Sequence, residues 1–441
     1  MIKNVWRSKL DRHATELLRK GIMAFVLKIM GAGFAFFLQI IIARQFGASG
    51  AGTYFLALTV TIFAASIVRL GMDNPVTRFV ATHVLANEFG KVLGVVTLAS
   101  RVTFLVSTVV ATIIYFLAEH ISNNLFDKPQ LSLPLKYMAI IIIPLAMSVI
   151  YAKALQGLKK TSETVLILGF FTPLIACFGL YVVKPKIGIL GAVIIYGVAV
   201  VTTMVFASFR WYQARKNWKH EKLEYPKKVL FEASWPLFGA VFIEQLIHVF
   251  PFMVLGVWAT INDVGLFAIA QRTSGIVGLL LVAANVVLAP KMAELFKMKD
   301  MLALAKITRY GGLIVTGVAS PVIFTFLVFP KWVMGLFGGE FVEAWLLLVI
   351  MSVGQLVNLM TGSVAFLLMM TGHERIHLYV NLIAAMLSIS LSLLLIPYLG
   401  AVGAAISSAV PLIVVNLLRT YFVKKKLGFS VLTKSGAVSG N

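Results

Sequence analysis

Few side chains in this sequence are equipped for chemistry, and most of them stand inside apolar runs. Glu244 and His248 are four residues apart, so on a helix they share one face. An imidazole titrates near neutrality when unperturbed. The pair therefore suits carriage of a coupling proton, help from Glu244 in holding Na+, or a static ion pair between Glu244 and a nearby arginine. Lys28, Arg101 and Arg272 are cations at or near bilayer depth, where a bare charge costs about 2.5–3.5 kcal/mol on insertion scales. Guanidinium groups suit bidentate contacts with phosphate, but Lys28 and Arg101 are also near enough to span ends to snorkel to the surface.

Uncharged polar residues recur at helical spacing. Gln39 follows Lys28 by about three turns and shares its face; Thr97, Arg101, Thr108 and Thr112 form one stripe, Ser352, Gln355, Asn358 and Gly362 a second, and Asn381, Ser388 and Ser392 a third. Asn285, Asn381 and Asn416 equally suit plain interhelical hydrogen bonds. Arg44, Asp73 and Arg78 fall at loop margins and are read as gating candidates, Asp73 and Arg78 either pairing as a latch or simply solvated.

The elements that must hold these groups are membrane helices. The 441 residues are 60% hydrophobic and 13% charged, with a mean hydropathy of +0.94, far outside the range of soluble domains. Twelve apolar segments are predicted: 21–43, 53–70, 92–118, 135–155, 162–183, 189–209, 236–259, 264–289, 307–329, 343–370, 378–398 and 401–422. The expected organisation is a basic interfacial segment at 1–20, a six-helix bundle at 21–209, a basic cytoplasmic linker at 210–235, a second six-helix bundle at 236–422 and a tail at 423–441. The fold class is an all-α integral membrane protein.

Charge sets the orientation. Lys and Arg number 39 against 17 Asp and Glu, a formal +22. Most of the cations fall in the termini and even-numbered loops, with five assigned to the C-terminal end, Arg419 among them; the odd loops hold Arg44, Lys128, Lys136, Lys184, Lys186 and Lys331. By the positive-inside rule both termini are cytoplasmic. The central cluster of Arg210, Arg215, Lys216, Lys219, Lys222, Lys227 and Lys228 then reads as topology signal and contact with anionic headgroups, with no nucleic acid implied. Trp6, Trp211, Trp218, Trp235, Trp258 and Trp332 fall near span ends, as an aromatic belt requires.

The sequence also repeats. Gly52-Thr53-Tyr54-Phe55-Leu56-Ala57 returns as Gly265-Leu266-Phe267-Ala268-Ile269-Ala270, Gly157-Leu158-Lys159-Lys160 as Gly372-His373-Glu374-Arg375, and Gly188-Ile189-Leu190-Gly191-Ala192 as Gly400-Ala401-Val402-Gly403-Ala404, at offsets of 213, 215 and 212. An even number of spans per copy makes the repeat parallel, as in transporters that rock two bundles about a central site.

The run Ile40-Ile41-Ile42-Ala43-Arg44-Gln45-Phe46-Gly47-Ala48-Ser49-Gly50-Ala51-Gly52-Thr53-Tyr54, followed by Leu70-Gly71-Met72-Asp73-Asn74-Pro75-Val76-Thr77-Arg78, resembles the start of the Wzx-type polysaccharide flippases. These belong to the multidrug/oligosaccharidyl-lipid/polysaccharide exporter superfamily. The resemblance implies a MATE-like pair of parallel-repeat bundles in the bacterial inner membrane. It further implies translocation of an undecaprenyl-diphosphate-linked glycan from the cytoplasmic to the periplasmic leaflet for O-antigen, capsule or exopolysaccharide assembly. On that reading a cationic cavity between the halves carries the cargo: Lys28, Arg101 and Arg272 meet the diphosphate, while Gln39, Gln355 and Asn358 meet sugar hydroxyls. Partners are then the lipid-linked glycan, the bilayer and the polysaccharide polymerase machinery. No cofactor is expected; an H+ or Na+ gradient or the membrane potential supplies the drive.

Two rivals remain open. An enzyme acting on the same lipid would need clustered carboxylates for Mg2+, whereas Asp11, Asp73, Asp127, Asp263 and Asp300 are isolated in sequence, so no enzyme is expected. A drug or cation antiporter of the same superfamily would need acids in its lumen, and Glu244 is the one carboxylate clearly inside a predicted span.

Overall fold

The computed structural model describes residues 2–183, 188–218 and 223–431, with the helical backbone alone described within 2–22 and at 283, 286 and 287. Lys184, Lys186, Lys219 and Lys222 of the charge pattern, the Trp6 side chain and residues 432–441 of the tail lie outside the described residues.

Among these residues the chain is helical, with no strand. In order come α1 (Ile2–Ile67), α2 (Asp73–Leu85), α3 (Phe89–His120), α4 (Ser132–Gly157), α5 (Thr161–Val165), α6 (Phe171–Val183), α7 (Ile189–Arg215) and α8 (Lys227–Trp258). They are followed by α9 (Ile261–Lys297), α10 (Met301–Val328), α11 (Pro330–Gly335), α12 (Trp345–Thr361), α13 (Val364–Met370) and α14 (Glu374–Leu427). Local signals set several starts. Thr260 and Asp263 form a reciprocal capping box at α9, and the Asp300 carboxylate accepts from the Ala303 N–H at 2.9 Å to begin α10.

Among the described residues, ten helical segments are long and apolar enough to cross a membrane. Two are far longer than one crossing needs: Met23–Ile67 has 45 residues and Glu374–Leu427 has 54. A straight 45-residue helix would measure about 68 Å, against a hydrocarbon core of about 30 Å. Both break at a glycine, Gly47 with φ 65° and ψ −171° and Gly400 with φ 53° and ψ −128°, a region open to glycine and costly for residues with a Cβ. These breaks fall at the turns expected after the first and eleventh apolar segments.

Two local differences from the sequence reading have physical causes. The stretch expected as loop between the second and third segments contains α2, because Met72, Val76 and Val80 recur every fourth residue and bury one face. The expected segment 343–370 is interrupted at Gly362, where α12 ends and α13 follows.

The chain divides into two compact units: the first holds the residues up to Ile41 with Ala57–Asn124 and Lys128–Val241, and the second holds Ile42–Leu56, Leu125–Asp127 and the chain from Phe242. The expected linker at 210–235 is largely helical, since α7 runs to Arg215 and α8 begins at Lys227.

In the first unit, the apolar face of α2 packs on Val92, Val95 and Ala99 of α3 and on Ile150 and Ala154 of α4. A clasp closes the turn between α2 and α3. Glu88 lies 2.6 Å from His83 Nδ1 and accepts from Lys91 at 2.7 Å, and these bonds hold its carboxyl below the usual carboxylate range. His83 Nε2 lies 3.4 Å from the Tyr225 hydroxyl, and the Leu223 N–H donates to the Gly90 carbonyl at 3.3 Å.

In the second unit the first repeat motif meets its own copy. A Cβ on Gly52 would collide with the Ile261 carbonyl, and one on Gly265 with the Ala48 carbonyl. Ile261 and Gly265 stand 213 residues after Ala48 and Gly52, so the contact is reciprocal. Beside it the Glu340 Oε2 accepts from the Ala48 N–H at 2.8 Å, capping the helix where it resumes after Gly47.

Candidate functional site

The second unit encloses a cavity of about 640 Å³, within the roughly 300–1,000 Å³ common for small-molecule sites. Every lining residue belongs to that unit. Helical spacing explains how an apolar bundle presents a polar wall: α8 contributes Glu244 and His248, α12 contributes Gln355 and Asn358, and α14 contributes His377 and Asn381 from before its break and Asn416 and Arg419 from after it. Each pair is three or four residues apart, so both members face the same way.

The wall is joined by hydrogen bonds. Arg419 donates to the Asn381 side-chain Oδ1 at 2.7 Å, and Asn381 Nδ2 lies 3.3 Å from His377 Nε2. Asn416 donates to the Asn358 Oδ1 at 3.2 Å and to the Leu412 carbonyl at 2.9 Å. Asn358 in turn donates to the Gln355 Oε1 at 3.3 Å. Glu244 has no hydrogen-bonding side chain on it among the described residues, though it lines the same wall as His248 and Arg419. Among the described residues, Asn285 Oδ1, Ser363 Oγ, His377 Nδ1 and Arg419 Nε of the wall are buried without a partner.

Of the residues expected to act together, Glu244, His248, Gln355 and Asn358 line this cavity. Lys28, Gln39 and Arg101 lie in the first unit; Lys28 is half-buried, Arg101 exposed, and Gln39 has a buried, unpartnered Oε1. Arg272, though next to the lining residue Gln271, stacks its guanidinium over the Phe55 ring at 4.4 Å. Arg44 donates to the Leu336 carbonyl at 2.8 Å.

Asp73 and Arg78, read as either a latch or simply solvated, do not pair with each other in the structure, so the latch is corrected, and Arg78 is exposed. Asp73 pairs with Arg69 at 2.9 Å, while Arg78 stacks on Phe79 at 4.9 Å. Five residues on a helix turn the side chains apart, whereas four bring them together. The third polar stripe also divides: Asn381 reaches the cavity, but the buried Ser388 hydroxyl donates to the Ile247 carbonyl of α8 at 3.3 Å.

Arg419 and His377 were not singled out from the sequence. Arg419 was absorbed into the cytoplasmic charge pattern, and the signal that would have separated it is its spacing of three residues from Asn416, which places both on one face. His377 and Asn381 carry the same signal at a spacing of four.

Residues 17–296 match the model of a family described as polysaccharide biosynthesis protein. Among curated proteins no sequence matches the chain. Solved structures share the fold at low identity. An inward-facing multidrug resistance MATE family transporter of the MOP superfamily has a TM-score of 0.77 at 12% identity, covering 95% of this chain and 100% of its own. The lipid II flippase MurJ in an inward closed conformation has a TM-score of 0.75 at 14% identity, covering 91% and 87%. A MOP superfamily transporter from Pyrococcus furiosus has a TM-score of 0.65 at 12% identity, covering 93% and 95%.

Proposed function

Because the chain belongs to the polysaccharide biosynthesis protein family, we propose that it is a flippase of the bacterial inner membrane, carrying an undecaprenyl-diphosphate-linked oligosaccharide from the cytoplasmic to the periplasmic leaflet. One observation carries the reading: a polar cavity of about 640 Å³ inside helices that are otherwise apolar. Membrane helices keep such groups where they line a cavity or a path for a polar solute.

Counting each broken helix as two crossings turns ten segments into twelve, with both termini cytoplasmic and six crossings per repeat. The bundles alternate between openings to the two sides, and the polyprenyl tail stays in the bilayer. Lys28, Arg101 and Arg272 supply positive charge for the diphosphate, and Gln39 accompanies Lys28. Glu244 and His248 form the coupling group, moved by an H+ or Na+ gradient or by the membrane potential. The product passes to the polymerase machinery, and the chain itself makes or breaks no covalent bond.

The test is reconstitution of the full chain into vesicles containing a fluorescently labelled undecaprenyl-diphosphate oligosaccharide. We expect labelled lipid to become accessible to an impermeant quencher across the membrane, and Arg419→Ala to slow this at least tenfold. Failure of the wild-type chain to move the lipid, together with gradient-driven efflux of organic cations, would establish the antiporter reading suggested by Glu244 in the cavity.

A further inference from the structure

The cavity of the second unit has a chemistry more specific than polarity. Among the described residues its charged groups are one carboxylate, Glu244, and one guanidinium, Arg419, beside the imidazoles of His248 and His377. A diphosphate requires several cationic donors around it, and this wall offers a single guanidinium among the described residues, already donating to Asn381. The rest of the polar surface is amide and hydroxyl. A primary amide presents a donor and an acceptor side by side, the complement of a sugar hydroxyl, which both gives and takes.

Two of these groups are left waiting. Asn285 is 5% exposed and Ser363 is 2% exposed, both line the cavity, and Asn285 Oδ1 and Ser363 Oγ have no partner. Buried polar atoms in that state are satisfied by ordered water or by a ligand, and leaving one unmade costs about 1–3 kcal/mol. Phe366 and Leu412 add apolar surface to the same wall, which suits the C–H face of a pyranose. The volume admits a ligand rather than one or two waters.

We propose that this cavity is a binding subsite for uncharged sugar residues bearing hydroxyl or acetamido groups, and that the diphosphate of the cargo is held outside it. The inference rests on the flippase reading for the route by which a glycan arrives. Its chemistry can be tested separately.

The purified full chain in detergent would be titrated with free oligosaccharides of two to four residues, one set of hexoses and N-acetylhexosamines, one set containing uronic acids, and with inorganic diphosphate. Binding would be read by saturation-transfer NMR. We expect at least one uncharged oligosaccharide to bind, diphosphate not to displace it, and Asn358→Ala and Ser363→Ala each to weaken it at least tenfold. Ser363→Ala removes only a hydroxyl, so it keeps the test decisive if Asn358→Ala fails to fold. Binding of acidic sugars or diphosphate alone, uncharged binding that survives both substitutions, or no oligosaccharide binding, as for a cavity holding water only, would overturn the subsite. Sugar binding without lipid translocation in vesicles would instead overturn the flippase reading and leave the subsite standing, and translocation without sugar binding would do the reverse.

Discussion

Asn416 illustrates how two readings of one residue can both hold. It is 1% exposed, lines the cavity and ties α14 to α12 through Asn358. As an interhelical bond within a membrane bundle its amide contributes about 0.5–2 kcal/mol. Asn416→Leu keeps the volume and removes the donor, so the thermal unfolding midpoint in detergent should fall by a few degrees; an unchanged midpoint would leave the amide a ligand contact only. Residue spacing singles out Glu244, His248, Gln355 and Asn358, and the structure places all four on one cavity wall. It failed for Arg419, because a cation close to Lys424, Lys425 and Lys426 looks like orientation signal. It also brought forward Lys28 and Arg101, which lie in the first unit, apart from this cavity's lining.

At the scale of elements, the repeat motifs were visible as sequence, but their mutual contact was not. Glycine at 52 and 265 was read as register; the structure shows that each glycine makes room for the other copy's backbone. Gly52→Ala and Gly265→Ala should therefore each destabilise the chain by at least about 1–3 kcal/mol, the cost of overpacking, because the obstructing atom is a carbonyl that cannot rotate away. Gly33→Ala is the control: nothing lies within 4 Å of a Cβ there. A helix gains up to about 1 kcal/mol from alanine over glycine, so this variant should match or exceed the parent in unfolding temperature. Equal losses from all three would remove the crossing as the cause. The same scale explains α2: a 13-residue amphipathic helix is too short for a span and falls below a search for apolar runs, although its four-residue period is plain once sought.

For the whole molecule, hydropathy marks the apolar helices and charge gives the expected orientation, while the grouping into units follows from long-range packing. Sequence order placed residues 42–56 with the first bundle; packing places them with the second unit, a long-range association with no local signal. Orientation is open to direct measurement. In a chain with Cys177→Ala, single cysteines at Asn124 and Met298, both exposed, should label oppositely in intact cells with an impermeant maleimide. Asn124→Cys should react from outside, and Met298→Cys only after permeabilisation. The reverse pattern would invert the topology and, with it, the direction of transport.

The contacts of residues 42–56 also bear on how the chain is made. This segment leaves the ribosome more than 200 residues before Ile261 and Gly265, against which Gly52 packs, and still earlier than Glu340, which accepts from Ala48. During synthesis it waits in the lipid with its crossing face uncovered and the Ala48 N–H unmet by Glu340. The second unit is thus completed by a piece inserted well before the rest of that unit is translated. A fragment starting at the central linker would lack that piece, whereas fragments split between α7 and α8 and produced together would contain everything the second unit needs.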